Sequence, residues 1–535
     1  MKGLIKAAFL IPLLALSLTG CKRGGGSSSL SSKGGNQEIT INITSEPGTL
    51  DPRKARALTD VNLIRMFMDG LTRIDKSGKT SLAIAKKVDV SADQMIYTFT
   101  LRDCKWSNGD PVTSHDFAYA WKKSLSPNFN APNANMLYLI KNAKEAKIGK
   151  LPLSLVGIEA PNDSTLVITL NHPTPYFLDI IANPIYFPVN NKIDRTNPKW
   201  AEKDSSYVGN GPFNMSEWKH HNLMEATKSP SYWDKKAVQL NQLKMVMVSE
   251  DTGFKMFDAN DLNWDGSPFS TIPVDAIQSL RSEEKLHTAP VLATQWIRVN
   301  VEKAPFQEKK LRRAFAYAVD RQAIVDHIAQ GNQIPATGIV PIAMGLQQTP
   351  LFEDGNVAMA EELFNEALSQ LDISVNDLPE ITLLYAAAER NHLMAQALQD
   401  QWLNAFGIQI RLEPVESKVF FDRVSKKDYT LSLGNWFADF NDPINFLEVF
   451  KTKDTGTNNT NWNNPSYTEL LETSYTCPSK DERAAILTKS QEVLINDMPV
   501  IPIFHYTMLY IQDKELKDVV LTTMGNIDFK WAHLD

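Results

Sequence analysis

The reading of this chain turns on Gly434-Asn435-Trp436-Phe437-Ala438-Asp439-Phe440-Asn441-Asp442-Pro443. The stretch lies between two apolar runs, Tyr429 to Leu433 and Ile444 to Phe450. The pattern predicts a strand giving way to a turn, because Asn-Asp-Pro favours turn formation and Pro443 restricts the residue before it. Asp439 stands among aromatic side chains. A carboxylate in an apolar wall needs a partner, and two kinds fit: backbone N–H groups that tie it into the turn, or a cation such as a ligand ammonium. The local sequence leaves both open.

Outward from this stretch, apolar periodicity sets the elements. Upstream, Met394, Leu398, Trp402 and Phe406 step by four along a helix over Asn391 to Phe406, which Gly407 ends. Ile408 to Leu412 reads as a strand, and Ala360 to Leu368 and the segment from Leu311 as helices. Gln295 to Val301 and Asn241 to Ser249 read as strands, the unbroken apolar run of the second suggesting cover on both faces. Nearer the start, Ile39 to Ile43, Ile96 to Leu101 and Thr165 to Leu170 are strands, and Asn62 to Leu71 a helix. Asn108-Gly109 marks a tight turn before a helix capped by Thr113 or Ser114, and Tyr207 to Phe213 a glycine turn entering a strand. Downstream, a helix within Asp481 to Asn496 precedes an extended apolar return, Pro499 to Phe504. Strands alternating with helices make the chain α/β with mixed sheets.

With 535 residues, 43% hydrophobic and 22% charged, the chain affords a large core. A formal net charge of −7 argues against a general nucleic-acid binder, which meets phosphates with a basic surface. Lys2 and Lys6 precede an apolar run from Ala7 to Leu18, too short for a membrane span and suited to a secretory signal. Leu18-Thr19-Gly20-Cys21 resembles a bacterial lipobox, which makes Cys21 the first mature residue and a lipid carrier. Residues 22–37 are a Gly/Ser-rich tether. Cys104 and Cys477 remain, either as one disulfide or as two buried thiols.

Enzymatic signatures are missing. The sequence has no His-Glu-x-x-His, Gly-x-Ser-x-Gly or Cys-x-x-Cys, and adjacent His220-His221 are poorly spaced for one metal. Gly78-Lys79-Thr80 has Arg73 where a phosphate-binding loop needs its first glycine. Neither a cofactor nor a metal is implied.

Several blocks together resemble the extracytoplasmic oligopeptide-binding proteins of ABC importers, the dipeptide/oligopeptide class of solute-binding proteins. They are Glu46-Pro47-Gly48-Thr49-Leu50-Asp51-Pro52, Tyr97 to Phe99 with Trp106 to Thr113, Gly209 to Phe213, Ser231-Tyr232-Trp233, Leu311 to Arg321, Trp436 to Pro443, and Asn463 to Tyr467. They run in family order over nearly all of 38–512. The resemblance implies a large two-lobed periplasmic-binding-protein fold with an additional inserted domain. Residues 1–20 are the signal peptide and 21–37 the lipidated tether. Lobe I takes 38–75, 190–295 and 500–535, the inserted domain 76–189, and lobe II 296–499. The lobes close on an extended short peptide, and the aspartate of the Trp-x-Ala-Asp block, here Asp439, pairs with its free α-amino group. Trp436 is expected beside this anchor and Glu46 at the cleft edge. The partners implied are ABC permease subunits and a membrane reached through Cys21 in a bacterial envelope, with the binding protein a monomer. Relatives that hold metal complexes, haem, opines or sugars keep a non-peptide cargo open, and a surface adhesion or sensing lipoprotein is the remaining alternative.

One departure concerns the ligand's other end. Well-known oligopeptide receptors place basic residues in the strand before the Trp, whereas Thr430-Leu431-Ser432-Leu433 carries none. Arg390, His392 and Arg423 are the nearby candidates for carboxylate recognition.

Overall fold

A computed structural model of the chain describes residues 37–346, 349–453, 456–477 and 479–535. The expected signal segment, Cys21 and residues 22–36 of the tether lie outside the described residues.

Fifteen strands matter below: β1 (Glu38–Asn42), β2 (Ala85–Val90), β3 (Ile96–Leu101), β4 (Ile158–Asn162), β5 (Thr165–Thr169), β6 (Phe213–Lys219), β7 (Leu223–Lys228), β8 (Gln242–Val246), β9 (Trp264–Gly266), β10 (His287–Val299), β11 (Ile334–Pro335), β12 (Thr382–Ala386), β13 (Arg411–Val415), β14 (Leu431–Phe437) and β15 (Val500–Gln512). The helices used are α1 (Leu58–Phe67), α2 (Ser114–Ser124), α3 (Lys309–Tyr317), α4 (Val357–Leu371), α5 (Glu389–Phe406), α6 (Ser417–Ser425), α7 (Pro465–Thr476) and α8 (Lys480–Asp497).

Eleven strands form one mixed sheet in the order β13-β12-β14-β10-β15-β9-β1-β8-β7-β6, with β11 added on β15. Its middle is built from β10 and β15, each 13 residues long and antiparallel to the other. Pairing runs from His287–Tyr510 to Pro290–Thr507, breaks, and resumes at Thr294–His505. Pro290 has no N–H to give the ladder, and a break suits it. Two other segments use the freed backbone: Leu292 N donates to Thr523 O (2.7 Å), and Ala438 N donates to Leu292 O (2.8 Å). The sequence pattern showed only the second half of β10, because His287-Thr288-Ala289-Pro290 lacks a strand signature.

On either side of this seam lie two apolar cores. One joins buried residues from Ile39 to Phe269 with Leu516, Ile527, Phe529 and Ala532 of the C-terminal tail. The other spans Trp296 to Phe504 and includes α3, α4, α5, α7 and α8 side chains. A separate antiparallel sheet, β2-β3-β5-β4, stands apart from the large one and is covered by Phe117, Ala120 and Trp121 of α2. Thr113 caps α2 together with Asp116, as its sequence suggested. From the segment between this sheet and β6, Tyr176 reaches into the second core and stacks on Phe440 (4.5 Å, 6°).

Some expectations shift. β8 buries Leu243 and Met245 fully while its other residues stay partly open, so it is covered well on one face only. It ends at Val246, and Ser249 caps the following helix. α1 begins at Leu58 and ends at Phe67, earlier than its apolar run suggested. The strand after α5 begins at Arg411 rather than Ile408. Cys104 and Cys477 are free thiols, and burial pushes Cys104 up to about 12.

The Gly209-Asn210-Gly211 turn has a definite task. The N–H groups of Asn210 and Gly211 both donate to Phe67 O (3.1 and 2.9 Å), satisfying a carbonyl at the C-terminus of α1. A Cβ on Gly211 would lie 2.4 Å from Phe67 C and Met68 N, and backbone cannot move aside cheaply. Asp60 fixes the other end of α1, accepting from Gly48 N at 2.8 Å. Gly211→Ala is therefore expected to cost about 1–3 kcal/mol of stability, as overpacking does. Thermal unfolding checks this, and an unchanged melting temperature would refute it.

Candidate functional site

β14 runs beyond its apolar half, through Trp436 and Phe437, before the chain turns. The turn is held by Asn445, whose Oδ1 accepts from Trp436 Nε1 (2.8 Å) and Asp439 N (3.2 Å). Its side chain also bonds the Asp439 carboxylate. The carboxylate that ties the turn to backbone is a different one, Asp442. It accepts from Ile444 N (2.9 Å) and from Arg483 Nη1 and Nη2, each at 2.8 Å.

Asp439 instead opens into a cavity of about 480 Å³. Phe437 and Phe440 flank it, α1 supplies Val61 and Arg65 opposite, and Thr522 to Met524 close a side. Asp439 keeps an exposed surface, yet the walls around it partly desolvate the carboxyl and raise its pKa, and the Asn445 hydrogen bond opposes this. Among the described residues no cation pairs with it. Arg65 is buried in the same wall, with its Nε unpartnered. Burial first, then Arg73, lowers this guanidinium to about 10, and Asp439 is not among the carboxylates acting on it. The two charges share the cavity without neutralising each other.

A second cavity of about 440 Å³ follows β14 in the other direction. Gly434, Asn435 and Trp436 form one wall with Trp296 and Arg298 of β10, and Phe420 and Phe421 of α6 face them. β12 pairs with β14 only at Leu431 and Ser432. From Leu433 to Phe437, β14 has a strand neighbour among the described residues on the β10 side alone. An open strand edge therefore leads past the second cavity to Asp439.

The remaining sequence candidates are placed as follows. Trp436 is joined to Asp439 through Asn445 but lines the second cavity, not the first. Glu46 lies in neither: its oxygens take His220 Nδ1 and His221 N, each at 2.7 Å. Arg423 is spent on Glu413 (2.8 Å) and Asp428 (3.3 Å). His392 Nδ1 bonds Tyr385 OH at 2.6 Å. Arg390 is exposed in the first turn of α5 and acts electrostatically on Tyr506. Asn445 and Arg298 were missed. Asn445 looked like one more polar residue in an apolar run, and the setting of Arg298 depends on a strand more than a hundred residues away.

The model of bacterial extracellular solute-binding proteins, family 5, middle region, matches residues 79–458. The chain belongs to this family. It is 39% identical over 534 residues to the oligopeptide-binding protein OppA of Bacillus subtilis, covering 98% of each chain. It is 33% identical over 533 residues to the dipeptide-binding protein DppE of the same organism, covering 97% of each. Among solved structures, the unliganded open form of the periplasmic murein tripeptide binding protein MppA matches with a TM-score of 0.81 at 25% identity, over 93% of this chain and 97% of that one. Haemophilus influenzae OppA in complex with RPPGFSPFR matches with a TM-score of 0.75 at 27% identity, over 93% and 99%. The mixed α/β fold is thus the two-lobed architecture of this family, whose members bind solutes rather than catalyse reactions.

In this family member the Asn445 hydrogen bond favours the ionised form of Asp439. Removing it in Asn445→Leu is expected to raise the Asp439 pKa further. A carbon-13 NMR titration of the carboxyl reads this directly, and an unmoved midpoint would contradict the assigned contact.

Proposed function

We propose that this solute-binding protein is the peptide-capturing subunit of an ABC importer, holding short peptides by their main chain and their free α-amino group. The observation that carries the reading is the carboxylate of Asp439, open to a cavity and paired with no described cation. An ammonium in that cavity gains a counter-charge, and charge-assisted hydrogen bonds are among the stronger ones, the more so once closed lobes exclude water. The open edge of β14 offers main-chain pairing to an extended ligand, which gives affinity without reading side chains. The relatives named for oligopeptides and dipeptides support the same class of cargo.

In this reading, lobe I comprises 38–75, 190–295 and 500–535, with 76–189 inserted, and lobe II comprises 296–499. The ligand touches both lobes around the Asp439 cavity and so favours their closed arrangement. The protein works as a monomer, tethered to the membrane through lipid on Cys21, and delivers cargo to the permease subunits.

Asp439→Asn is expected to weaken binding of free-amino peptides by more than about tenfold, and N-acetylation of the peptide to do the same to the parent protein. Affinity should also fall as pH drops through the raised Asp439 pKa, because protonation removes the counter-charge. It should fall again above about pH 8, where the peptide amine loses its proton. Calorimetric titration tests all of this, and equal affinities for free and acetylated peptides would refute the anchor. For the tether, Cys21→Ala should move the protein from the membrane fraction to the soluble one; retention at the membrane would reject lipidation there.

A further inference from the structure

We propose that the surface built by α2 and the loop over residues 142–155 docks on an anionic lipid bilayer. The proposal goes beyond the peptide-receptor reading and does not need it.

The chain carries a net charge of −7, yet residues 114–156 hold six lysines against two acids, Asp116 and Glu145. Asp116 is buried in the cap of α2, so its charge is turned inward. Beside α2 lies a groove of about 540 Å³ whose charged lining residues are His115, Lys122, Lys123 and Arg195. No acid lines it among the described residues. The Arg195 guanidinium lies over the Tyr119 ring at 4.9 Å. Two acids stand nearby: Asp163 holds His115 at 3.3 Å, and Glu159 acts electrostatically on Lys122. Lys123, Lys141, Lys144, Lys150 and Arg195 are exposed, and among the described residues no carboxylate is in ion-pair contact with any of them.

Leu153 carries the groove into the loop. The loop runs from the short helix Ala143–Lys147 to the single turn Leu153–Leu155. Asn142 Nδ2 donates to Leu155 O at 2.8 Å and closes it, in the manner of an omega loop. Lys147 fixes it to the end of α2, its Nζ donating to the carbonyls of Ser124, Ser126 and Phe129 at 3.0, 3.1 and 2.7 Å. Although the loop is tied down, it keeps two large apolar side chains outside the core: Ile148 is 53% exposed and Leu155 54%. Lys144, Lys147 and Lys150 surround Ile148 in sequence, and Glu145 is the one acid of the loop.

The lysines alone suit any polyanion. Ile148 and Leu155 choose among polyanions, because a soluble one leaves both side chains in water. An anionic bilayer takes both features: headgroup phosphates meet the cations, and the acyl boundary roughly 5–10 Å below accepts the apolar groups. Long lysine stems can lie along that boundary with their ammonium groups among the headgroups. The chain enters the described body at Gln37. Residues 21–37 reach about 55 Å when extended, on the order of the width of a folded body of this size. A bilayer anchor at Cys21, as proposed above, therefore lies within reach of this surface. Such a segment limits distance but not orientation, and the loop contact supplies orientation.

The test is cosedimentation of the mature chain without lipid, residues 22–535, which keeps every described residue. One set of vesicles is equal parts phosphatidylglycerol and phosphatidylethanolamine, the other phosphatidylcholine alone. Binding to the anionic set is expected to be about tenfold or more tighter than to the neutral set, and to weaken as salt rises. Lys144→Gln with Lys150→Gln should lower it about tenfold, through the two lost charges. Ile148→Ser with Leu155→Ser should lower it about threefold or more, through lost insertion. Lys235→Gln with Lys236→Gln makes the same change of net charge outside this surface and should leave binding within about twofold of the parent. All eight positions named are altered only in pairs of exposed side chains, and thermal melting checks that each variant is folded. Equal binding to both vesicle sets overturns the proposal. A loss as large with the Lys235 and Lys236 pair also overturns it, because net charge is then what is read. An apolar-pair variant that binds like the parent shows a surface reading charge alone, as a soluble polyanion or an acidic protein presents it, and rejects the bilayer.

Discussion

The arrangement depends on a break in one ladder of hydrogen bonds. β10 and β15 are the long central strands of the sheet, and between Pro290 and Thr294 they stop pairing with each other. The backbone of Leu292 is then bonded by Thr523 O on one side and by Ala438 N on the other. Those contacts bring the C-terminal segment and the turn after β14 to the same point. Asp439 follows Ala438 directly, so its carboxylate is delivered into a cavity walled by segments that are remote in sequence. A continuous ladder would leave no backbone group there to hold the turn.

Charge pairing separates the residues that build the molecule from those that face its cavities. Buried Arg53 is clamped by Asp51 and Asp194, Arg73 by Asp69 and Asp528, Arg321 by Asp354, and Arg483 by Asp442. Arg312, with no carboxylate in ion-pair contact among the described residues, is spent on backbone carbonyls of Phe306, Gln307 and Asp497. Against that background Asp439 and Arg298 stand out, because each lines a cavity and neither has an ionic partner among the described residues. Their signs are opposite and they flank one open strand edge. Arg65 lines the first cavity with its Nε unpartnered and no ion-pair contact among the described residues, although Asp528 and Asp69 act on it electrostatically.

Much of this was legible before the structure. The four-residue stride from Met394 to Phe406 located α5, Gly407 (φ 69°) ended it, and Thr113 capped α2. Asp439 was legible as a charge that needed a partner, although the choice between backbone and ligand was not; Asp442 turned out to fill the backbone role. The lengths of β10 and β14 were not legible, since Pro290 and the polar, glycine-containing middle of β14 dilute the period-two signal. Glu46 could not be placed either, because its partners His220 and His221 arrive on the β6–β7 turn. Arg298 reads as an ordinary strand arginine until the register with Gly434 is known.

The most direct measurement of the central claim is the intact mass of the protein purified without denaturant, with whatever it carries. The account predicts a series of added masses that fragment as short peptides with unblocked N-termini, released when Asp439 is replaced by Asn. A single tightly held non-peptide mass, or peptides with blocked amines, would contradict it.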